Sequence, residues 1–259
     1  MIRIPILSPG RIQAFPPIDQ ALAEPNGLLC AGGDLSAARL MDAYRHGIFP
    51  WFNEGEAILW WSPDPRLVFD PANTWPNRRL ARWFRQCPWT ITADRAFGAV
   101  MRACAAPRAY SRDTWIGAPM LAAYGRLHEL GVAHSVEVWD ADTLIGGIYG
   151  VALGRAFFGE SMFSTRSQAS KLAFFALAAG LREKGFELLD GQVESAHLSS
   201  LGGVLLPRAE FAAQLDKLCS ETRIPGSWQA DWPVDSARSS LLMRPPAWTP
   251  DQSLSSSGG

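Results

Sequence analysis

Four segments of the chain place apolar residues at every third or fourth position, the spacing of a helix with one buried face. The first lies between a cap at Asp34 or Ser36 and a stop at Gly47. The others cover about 94–105, 118–130 and 167–184. Asp94 is the expected N-cap of the second helix, and Gly131 ends the third. These segments predict a protein with several amphipathic helices.

Between the third and fourth helices the pattern changes to continuous or alternating apolar runs, which are typical of strands. The predicted strands cover 135–139, 144–153 and 156–163, and a further strand follows the last helix at 187–193. Turn-like residues at 140–142 and at Gly154 separate the first three, so we expect an antiparallel meander. Three antiparallel strands, a crossover helix and another strand predict an α+β fold with one mixed sheet.

Composition changes along the chain and suggests three parts. Residues 1–64 are rich in Pro, Gly and Trp and are expected to form a small N-terminal domain. The step Pro63-Asp64-Pro65 is the expected boundary, because two close prolines disfavour a continuous helix or a central strand. Residues 65–244 then form the larger domain. The segment 245–259 has little apolar surface and is expected to be a flexible tail.

The overall composition is that of a globular protein, and its charge excludes one class of function. Apolar residues make up 47% of the 259 residues and charged residues 19%, which is enough to build a core. The net charge is −1, so the chain lacks the basic excess of a protein that coats nucleic acid. Any contact with RNA must therefore be local.

The cysteines, the histidines and the apolar runs indicate the compartment of the protein and whether it binds metal or membrane. The four cysteines and four histidines show no metal-ligand spacing, so we expect a reduced, cytoplasmic protein with no metal. The longest apolar run, 172–181, is too short to span a bilayer, and the N-terminus lacks a signal-peptide layout, so we expect no membrane contact. The absence of nucleophile-elbow, phosphate-loop and dinucleotide motifs disfavours nucleotide hydrolysis.

Two strand-like runs, 157–164 and 188–193, each contain a single carboxylate, Glu160 and Asp190. Burying an unpaired charge is costly, so such acids often serve a function. Gln192 is two residues from Asp190, and in a regular strand the two side chains project from the same face. An acid beside a carboxamide can accept from an amine and donate to a carbonyl oxygen, which suits acyl transfer to nitrogen. Alternatively, each acid is exposed at a strand end or satisfied by a neighbouring Arg.

Two further features are candidates for contact with nucleic acid. Four arginines fall within eight residues that contain no acid: Arg78, Arg79, Arg82 and Arg85. They would attract phosphate, although an ordinary solvated helix face gives the same pattern. Trp51 and Trp115 lie in loop-like sequence, where an indole can stack on a nucleobase, although most tryptophans simply pack.

Several blocks of the sequence form a recognisable set: 24–29, 32–35, 47–52, 60–66, 159–164 and 169–171, together with Asp190-x-Gln192 and with His197 and 200–202. Through these blocks, and over nearly its full length, the sequence resembles the leucyl/phenylalanyl-tRNA-protein transferase family. The resemblance implies an acetyltransferase-like (GNAT-like) larger domain. It also implies transfer of Leu or Phe from aminoacyl-tRNA to the α-amine of proteins that begin with Lys or Arg. Met would be accepted as well, because a hydrophobic pocket discriminates weakly between side chains of similar size. The transfer marks the acceptor proteins for N-degron-dependent degradation. An ester is converted to an amide, so no cofactor is implied, and we expect a cytoplasmic monomer.

The resemblance also assigns roles to individual residues. It implies that Asp190 and Gln192 form the catalytic pair and that Glu160 holds the attacking ammonium or the basic side chain of the acceptor. The substrate-binding positions that it implies are Ile148, Met162, Leu177, Leu181 and Leu189 for the donor side chain, Trp51 and Trp115 for the terminal adenosine, and also Phe157. Core packing would produce the same apolar positions.

Two other functions remain open for such a fold. An acyl-CoA-dependent N-acetyltransferase would carry a Gly-rich pyrophosphate cradle before the crossover helix, and the segment 164–169 lacks one. A non-catalytic adaptor could bind RNA and basic N-termini through the same acids. The adaptor would show no transfer.

Overall fold

In a computed structural model, residues 4–11, 13–106, 115–220 and 226–232 are described. The helices are α1 (Ala37–Arg45), α2 (Arg78–Gln86), α3 (Phe97–Ala105), α4 (Ala118–Glu129), α5 (Ala169–Glu183), α6 (Ala196–Ser200), α7 (Arg208–Leu218) and α8 (Trp228–Asp231). The strands are β1 (Ile6–Leu7), β2 (Leu28–Gly32), β3 (Phe49–Pro50), β4 (Leu59–Trp61), β5 (Arg66–Phe69), β6 (Thr90–Ala93), β7 (Ala133–Asp140), β8 (Thr143–Leu153), β9 (Ala156–Ser164), β10 (Leu188–Gln192) and β11 (Val204–Leu206). A short 3-10 helix covers Ile18–Gln20.

The strands form two mixed sheets, which confirms the predicted mixed α+β class. The first sheet has the order β1-β2-β4-β3, and the second has the order β11-β5-β10-β9-β8-β7-β6. In the second sheet only β9 and β10 pair in parallel, with Phe158 opposite Asp190, and the other described pairs are antiparallel. Helix α5 connects these two strands, as a parallel pair requires a crossover. The predicted meander is β7, β8 and β9.

Two core clusters cover the two faces of the second sheet. Because side chains alternate along a strand, Phe157 and Phe158 of β9 belong to different clusters. The first cluster joins the first sheet and α1 to the second sheet, through residues such as Trp60 and Tyr44. The second cluster lies beneath α5, and eleven of the fifteen residues of this helix are buried. The same cluster includes buried side chains of α2. The functional side chains lie between these two layers, where β9 and β10 meet.

Most of the predicted elements are confirmed, and one predicted cap is wrong. Helices α1, α4 and α5 and strands β7 to β10 lie within a few residues of their predicted bounds, and Gly47 and Gly131 follow their helices at positive φ. Helix α3 instead begins at Phe97, with Ala96 at its N-cap. Asp94 is turned to the sheet, where its Oδ1 accepts the Ser135 N–H at 3.0 Å.

The segment 226–232 packs against the second cluster through two tryptophans. Trp228 is 1% exposed and stacks on the imidazole of His134 with ring centroids 4.0 Å apart. Its backbone N–H donates to Asp94 Oδ2 at 2.8 Å. Trp232 lies over Gly180 of α5, where an added Cβ would be 2.2 Å from the indole. A residue without a side chain is therefore required at this position of α5.

The division at residue 64 stays a prediction, and the predicted tail 245–259 lies outside the described residues. The first sheet ends at Trp61 and the second begins at Arg66, and Pro65 follows a cis peptide bond. Within the described part of the chain, no helix has the length and apolar character needed to cross a membrane.

Candidate active site

Glu160 lies at an irregularity of β9, where the strand carries one extra residue. Gly150 pairs with Gly159, but the next position, Tyr149, pairs with Ser161, so Glu160 has no partner in the ladder. Such a bulge redirects a side chain. The carboxyl of Glu160 accepts hydrogen bonds from Tyr44 Oη at 2.7 Å and Tyr124 Oη at 3.1 Å. The bulge therefore turns an acid toward the helices α1 and α4.

The surroundings of Glu160 place the pKa of its carboxyl near neutral pH. Burial raises the pKa of this carboxyl to about 7, because a charge is poorly solvated there. Hydrogen bonds from Tyr44, Gln192 and Tyr124 act in the opposite direction, and the negative charge of Asp190 adds to the increase in pKa. A carboxyl with this pKa can gain or lose a proton during a reaction at pH 7.

Asp190 is fully buried and forms an ion pair with Arg66 of β5. Arg66 Nε donates to Asp190 Oδ1 at 2.8 Å and Nη2 donates to Oδ2 at 2.6 Å, which is the bidentate geometry of a strong charge-assisted pair. The guanidinium also donates to the carbonyl of Gly47 at 3.1 Å and lies between the rings of Phe49 and Phe211. Arg66 is 1% exposed and Asp190 is 0% exposed.

The regular-strand geometry predicted for Asp190 and Gln192 is wrong, although both residues line one cavity beside Glu160, and their action on one ligand stays a prediction. The register of β10 shifts between these residues, and Gln192 has a left-handed φ of 63°, so the alternation of a regular strand does not apply. Asp190 Oδ1 accepts the backbone N–H of Gln192 at 2.8 Å. The buried acid is thus satisfied by a neighbouring Arg, and it anchors the backbone of Gln192.

Gln192 connects Asp190 to Glu160 through hydrogen bonds. Its Nε2 donates to Glu160 Oε1 at 2.7 Å. With one N–H used in this way, the amide keeps a second N–H and its carbonyl oxygen for a ligand. The two acids predicted from separate strands therefore do lie on one network, with Gln192 between them.

A small apolar cavity of about 80 Å³ opens beside Glu160 and Gln192. Three of the predicted donor-pocket residues line it: Ile148, Met162 and Leu189. Sequence reasoning missed three other apolar side chains in the wall: Phe69, Phe174 and Leu198. We call this space the apolar cavity.

Three predicted pocket residues lie elsewhere. Phe157, Leu177 and Leu181 are at most 1% exposed and belong to the second core cluster. Their apolar character serves packing beneath the sheet and along α5, which was the alternative explanation of the pattern.

A second cavity, of about 170 Å³, shares part of its lining with the first. Trp51 and Trp115 both line it, so the structure brings together two indoles that are 64 residues apart in the chain. Trp51 is 44% exposed, and its ring lies 5.7 Å from that of Trp61. Glu160, Gly191 and Gln192 line both cavities. We call this second space the indole cavity.

The four arginines lie on α2, away from both cavity walls. Asn77 caps this helix, and Leu80 and Phe84 are buried on its inner face. All four arginines are exposed, and Arg78, Arg82 and Arg85 share the outer face, as their spacing predicts for a helix. A contact with phosphate stays a prediction.

The sequence reasoning did not identify Arg66, Tyr44 or Tyr124 as site residues. Tyr44 and Tyr124 lie within the apolar stripes of the helices α1 and α4. A buried tyrosine hydroxyl needs a polar partner, so two tyrosines within such stripes are a signal that a polar group lies beneath them. In the described ranges, no group of three His, Cys, Asp or Glu side chains is placed to hold a metal ion.

Comparison with known proteins gives three kinds of match. Residues 68–216 match the family model described as leucyl/phenylalanyl-tRNA protein transferase, and residues 33–64 match that of its N-terminal domain. The leucyl/phenylalanyl-tRNA--protein transferase of Thiobacillus denitrificans is 54% identical over 84% of this chain and 95% of the relative. That of Xanthomonas euvesicatoria is 54% identical over 87% of this chain and 90% of the relative. A solved structure titled "The structure of L-PGS from Bacillus licheniformis" has a TM-score of 0.41 at 8% identity, covering 75% of this chain and 73% of that one.

Proposed function

Since this chain belongs to the leucyl/phenylalanyl-tRNA protein transferase family and is therefore an aminoacyltransferase, we propose that its acceptors are proteins with N-terminal Lys or Arg. The donor is aminoacyl-tRNA charged with Leu or Phe, and Met fits the same apolar character. The product would be marked for N-degron-dependent degradation in the cytoplasm. We propose that the enzyme works as a monomer without metal or cofactor.

One observation carries the proposal: Glu160 and Gln192 form the shared wall of two chemically different cavities. The apolar cavity suits an uncharged side chain such as that of Leu or Phe. The indole cavity suits a terminal nucleoside, because an aromatic ring stacks on any base. An aminoacyl ester that occupied both cavities would place its carbonyl at the shared wall.

The acceptor amine would approach the same wall. A free α-amine has a pKa of about 7.7–8.0, so part of it is neutral at neutral pH and can attack an ester. We assign Glu160 to hold the incoming nitrogen, with the free carbonyl oxygen of Gln192 as a second acceptor. Asp190 is a positioning residue, because its carboxyl binds Arg66 and the backbone of Gln192.

We propose that the second sheet is GNAT-like, which is supported by the parallel pair β9 and β10 joined across α5. We also propose that residues 65–244 form the catalytic domain and 1–64 a smaller one. The four arginines of α2 are proposed phosphate contacts for the tRNA, supported by their exposure on one helix.

The test is a transfer reaction with purified protein, labelled Leu-tRNA and two peptides, one that begins with Arg and one with Ala, without ATP. We expect label on the first peptide alone. Label on both peptides would contradict the basic acceptor. A requirement for acyl-CoA in place of aminoacyl-tRNA would contradict the proposed donor.

A variant distinguishes the enzyme from an adaptor. Gln192→Ala removes the amide that joins the two cavities and is expected to abolish transfer while Leu-tRNA binding stays within a fewfold. An adaptor would bind both substrates, and the wild-type protein would show no transfer. The surface variant Glu187→Gln, a change of acid to amide at an exposed residue, serves as the control.

A further inference from the structure

Three oxygen-bearing groups form a closed triangle at Glu160. Tyr44 Oη contacts Glu160 Oε1 at 2.7 Å and Tyr124 Oη contacts Oε2 at 3.1 Å. The two tyrosine hydroxyls also hydrogen-bond to each other. Both phenols are fully buried. The triangle therefore has three hydrogen-bond contacts among two hydroxyls and one carboxyl.

The three hydrogen-bond contacts of this triangle need three protons. Each phenol has one proton, and an ionised carboxylate has none, so two protons are available for three contacts. With the carboxylate charged, one contact must bring two lone pairs together. One additional proton on Glu160 fills all three: the carboxyl donates to Tyr44, Tyr44 to Tyr124, and Tyr124 to the other carboxyl oxygen. The Gln192 amide can still donate to Oε1 in that state.

We propose that Glu160, Tyr44 and Tyr124 form a proton-accepting unit, in which the carboxyl of Glu160 takes the proton that the attacking amine loses and the two phenols are its positioning residues. This inference rests on the proposed function. Glu160 lines both cavities, so its carboxyl is open to a ligand on one side while the phenols hold it on the other.

The proton balance of the reaction fits one acceptor site. A bond forms between the amine nitrogen and the ester carbonyl carbon, and the bond from that carbon to the tRNA oxygen breaks. The nitrogen loses one proton, which goes to Glu160, and the departing ribose oxygen needs one, which Glu160 returns. No proton is gained or lost overall when the amine enters neutral.

Two other polar groups near this carboxyl, Asp190 and Tyr149, lie outside the triangle. Asp190 on β10 is committed to Arg66 of β5. Tyr149 of β8 is 0% exposed, and its hydroxyl has no hydrogen-bond partner within the described ranges. Tyr149 packs edge-on against Tyr124 with ring centroids 5.9 Å apart. It therefore offers a matched control, a buried phenol of the same cluster outside the triangle.

The first experiment follows the Glu160 carboxyl itself, without tRNA. The protein is labelled with ¹³C-glutamate, and the side-chain carboxyl signal that is absent in Glu160→Gln is followed against pH by NMR. We expect a midpoint at about 7 in the wild type. In Tyr44→Phe/Tyr124→Phe the charged carboxylate loses two charge-assisted hydrogen bonds, whereas the protonated carboxyl loses only weaker neutral ones, so we expect the midpoint to rise by about one pH unit or more. Tyr149→Phe is expected to leave it within a few tenths of a unit.

The second experiment separates proton acceptance from binding and needs only Glu160→Gln. The amide keeps the shape and the hydrogen bonds but cannot take a proton. We expect kcat to fall by about 100-fold or more, with the KM of the acceptor peptide changed by less than about threefold. A raised KM with an intact kcat would show that Glu160 only holds the amine, and would overturn the proposal.

The titration tests the proton-accepting unit and the transfer assay tests the proposed acceptor, so one claim can be refuted without the other. A midpoint in the ordinary carboxylate range, or one that both phenol deletions leave unchanged, contradicts the proton-accepting unit even if transfer proceeds. If no transfer occurs with any basic peptide, the proposed acceptor is wrong while the titration of Glu160 stands on its own.

Discussion

Asp190→Asn is expected to cost far more stability than an amide at an exposed acid, because it breaks a buried ion pair. The side chain of Asp190 is 0% exposed and that of its partner Arg66 is 1% exposed, so water cannot replace the lost contacts. The amide also has one oxygen for two guanidinium donors that now reach oxygens at 2.8 and 2.6 Å. Removing one partner of a buried pair costs about 3–5 kcal/mol.

That loss is large compared with the total stability of a domain, about 5–15 kcal/mol. With a urea slope of about 3 kcal/mol per M, the unfolding midpoint should fall by about 1–2 M, measured by tryptophan fluorescence at pH 7. The control is Glu187→Gln, whose ion pair with Arg155 is exposed on both sides and is expected to contribute less than about 1 kcal/mol. If Asp190→Asn unfolds at the same urea concentration as this control, the assignment of Asp190 as a buried anchor is wrong.

Three further outcomes follow from other parts of the structure. Leu198→Ala enlarges the apolar cavity and should raise the ratio of kcat/KM for Phe-tRNA over Leu-tRNA by about tenfold. An unchanged ratio would show that this cavity does not select the donor. Charge reversal by Arg78→Glu and Arg82→Glu should weaken tRNA binding and flatten the plot of log Kd against log salt by about one unit per lost phosphate contact, whereas an unchanged slope would remove α2 from the interface. Burial alone would raise the pKa of Asp94, but the hydrogen bond and charge of His134 and two backbone N–H groups outweigh it and lower the pKa. The stabilisation from Asp94 is therefore present above the unfolded-state pKa of about 3.9 and is lost as the pH falls through the lower pKa of the folded state. The difference in Tm between the wild type and Asp94→Asn should therefore shrink between pH 5 and pH 2. A constant difference in Tm would contradict this linkage.

The elements with long, regular patterns could be predicted from the sequence. Helix α5 and the strands β8 and β9 carry enough apolar residues in register to define their type and near bounds. Short strands such as β5 and β11 have three or four residues and contain no period to detect. Their place in the sheet depends on pairing partners that are more than one hundred residues away in the chain.

The candidate site could be predicted only in its residue types. The sequence indicates that Glu160, Asp190 and Gln192 are unusual in their apolar surroundings, and the structure joins them in one network. The direction in which each side chain points depends on two strand irregularities, one in β9 and one in β10, which leave no periodic trace. The role of Asp190 also depends on Arg66, 124 residues earlier, a pairing that local spacing cannot predict.

The docking of Trp228 has a consequence for how the protein forms during translation. Trp228 contacts Asp94 and His134, and Trp232 contacts Gly180, and all three of these partners are synthesised long before residue 228. A nascent chain that stops short of this residue exposes Phe157 and Phe186, which the indole covers in the complete fold. Because such apolar surface attracts chaperones and promotes aggregation, fragments that end before residue 226 should be poorly soluble even though every strand of the large sheet has been synthesised.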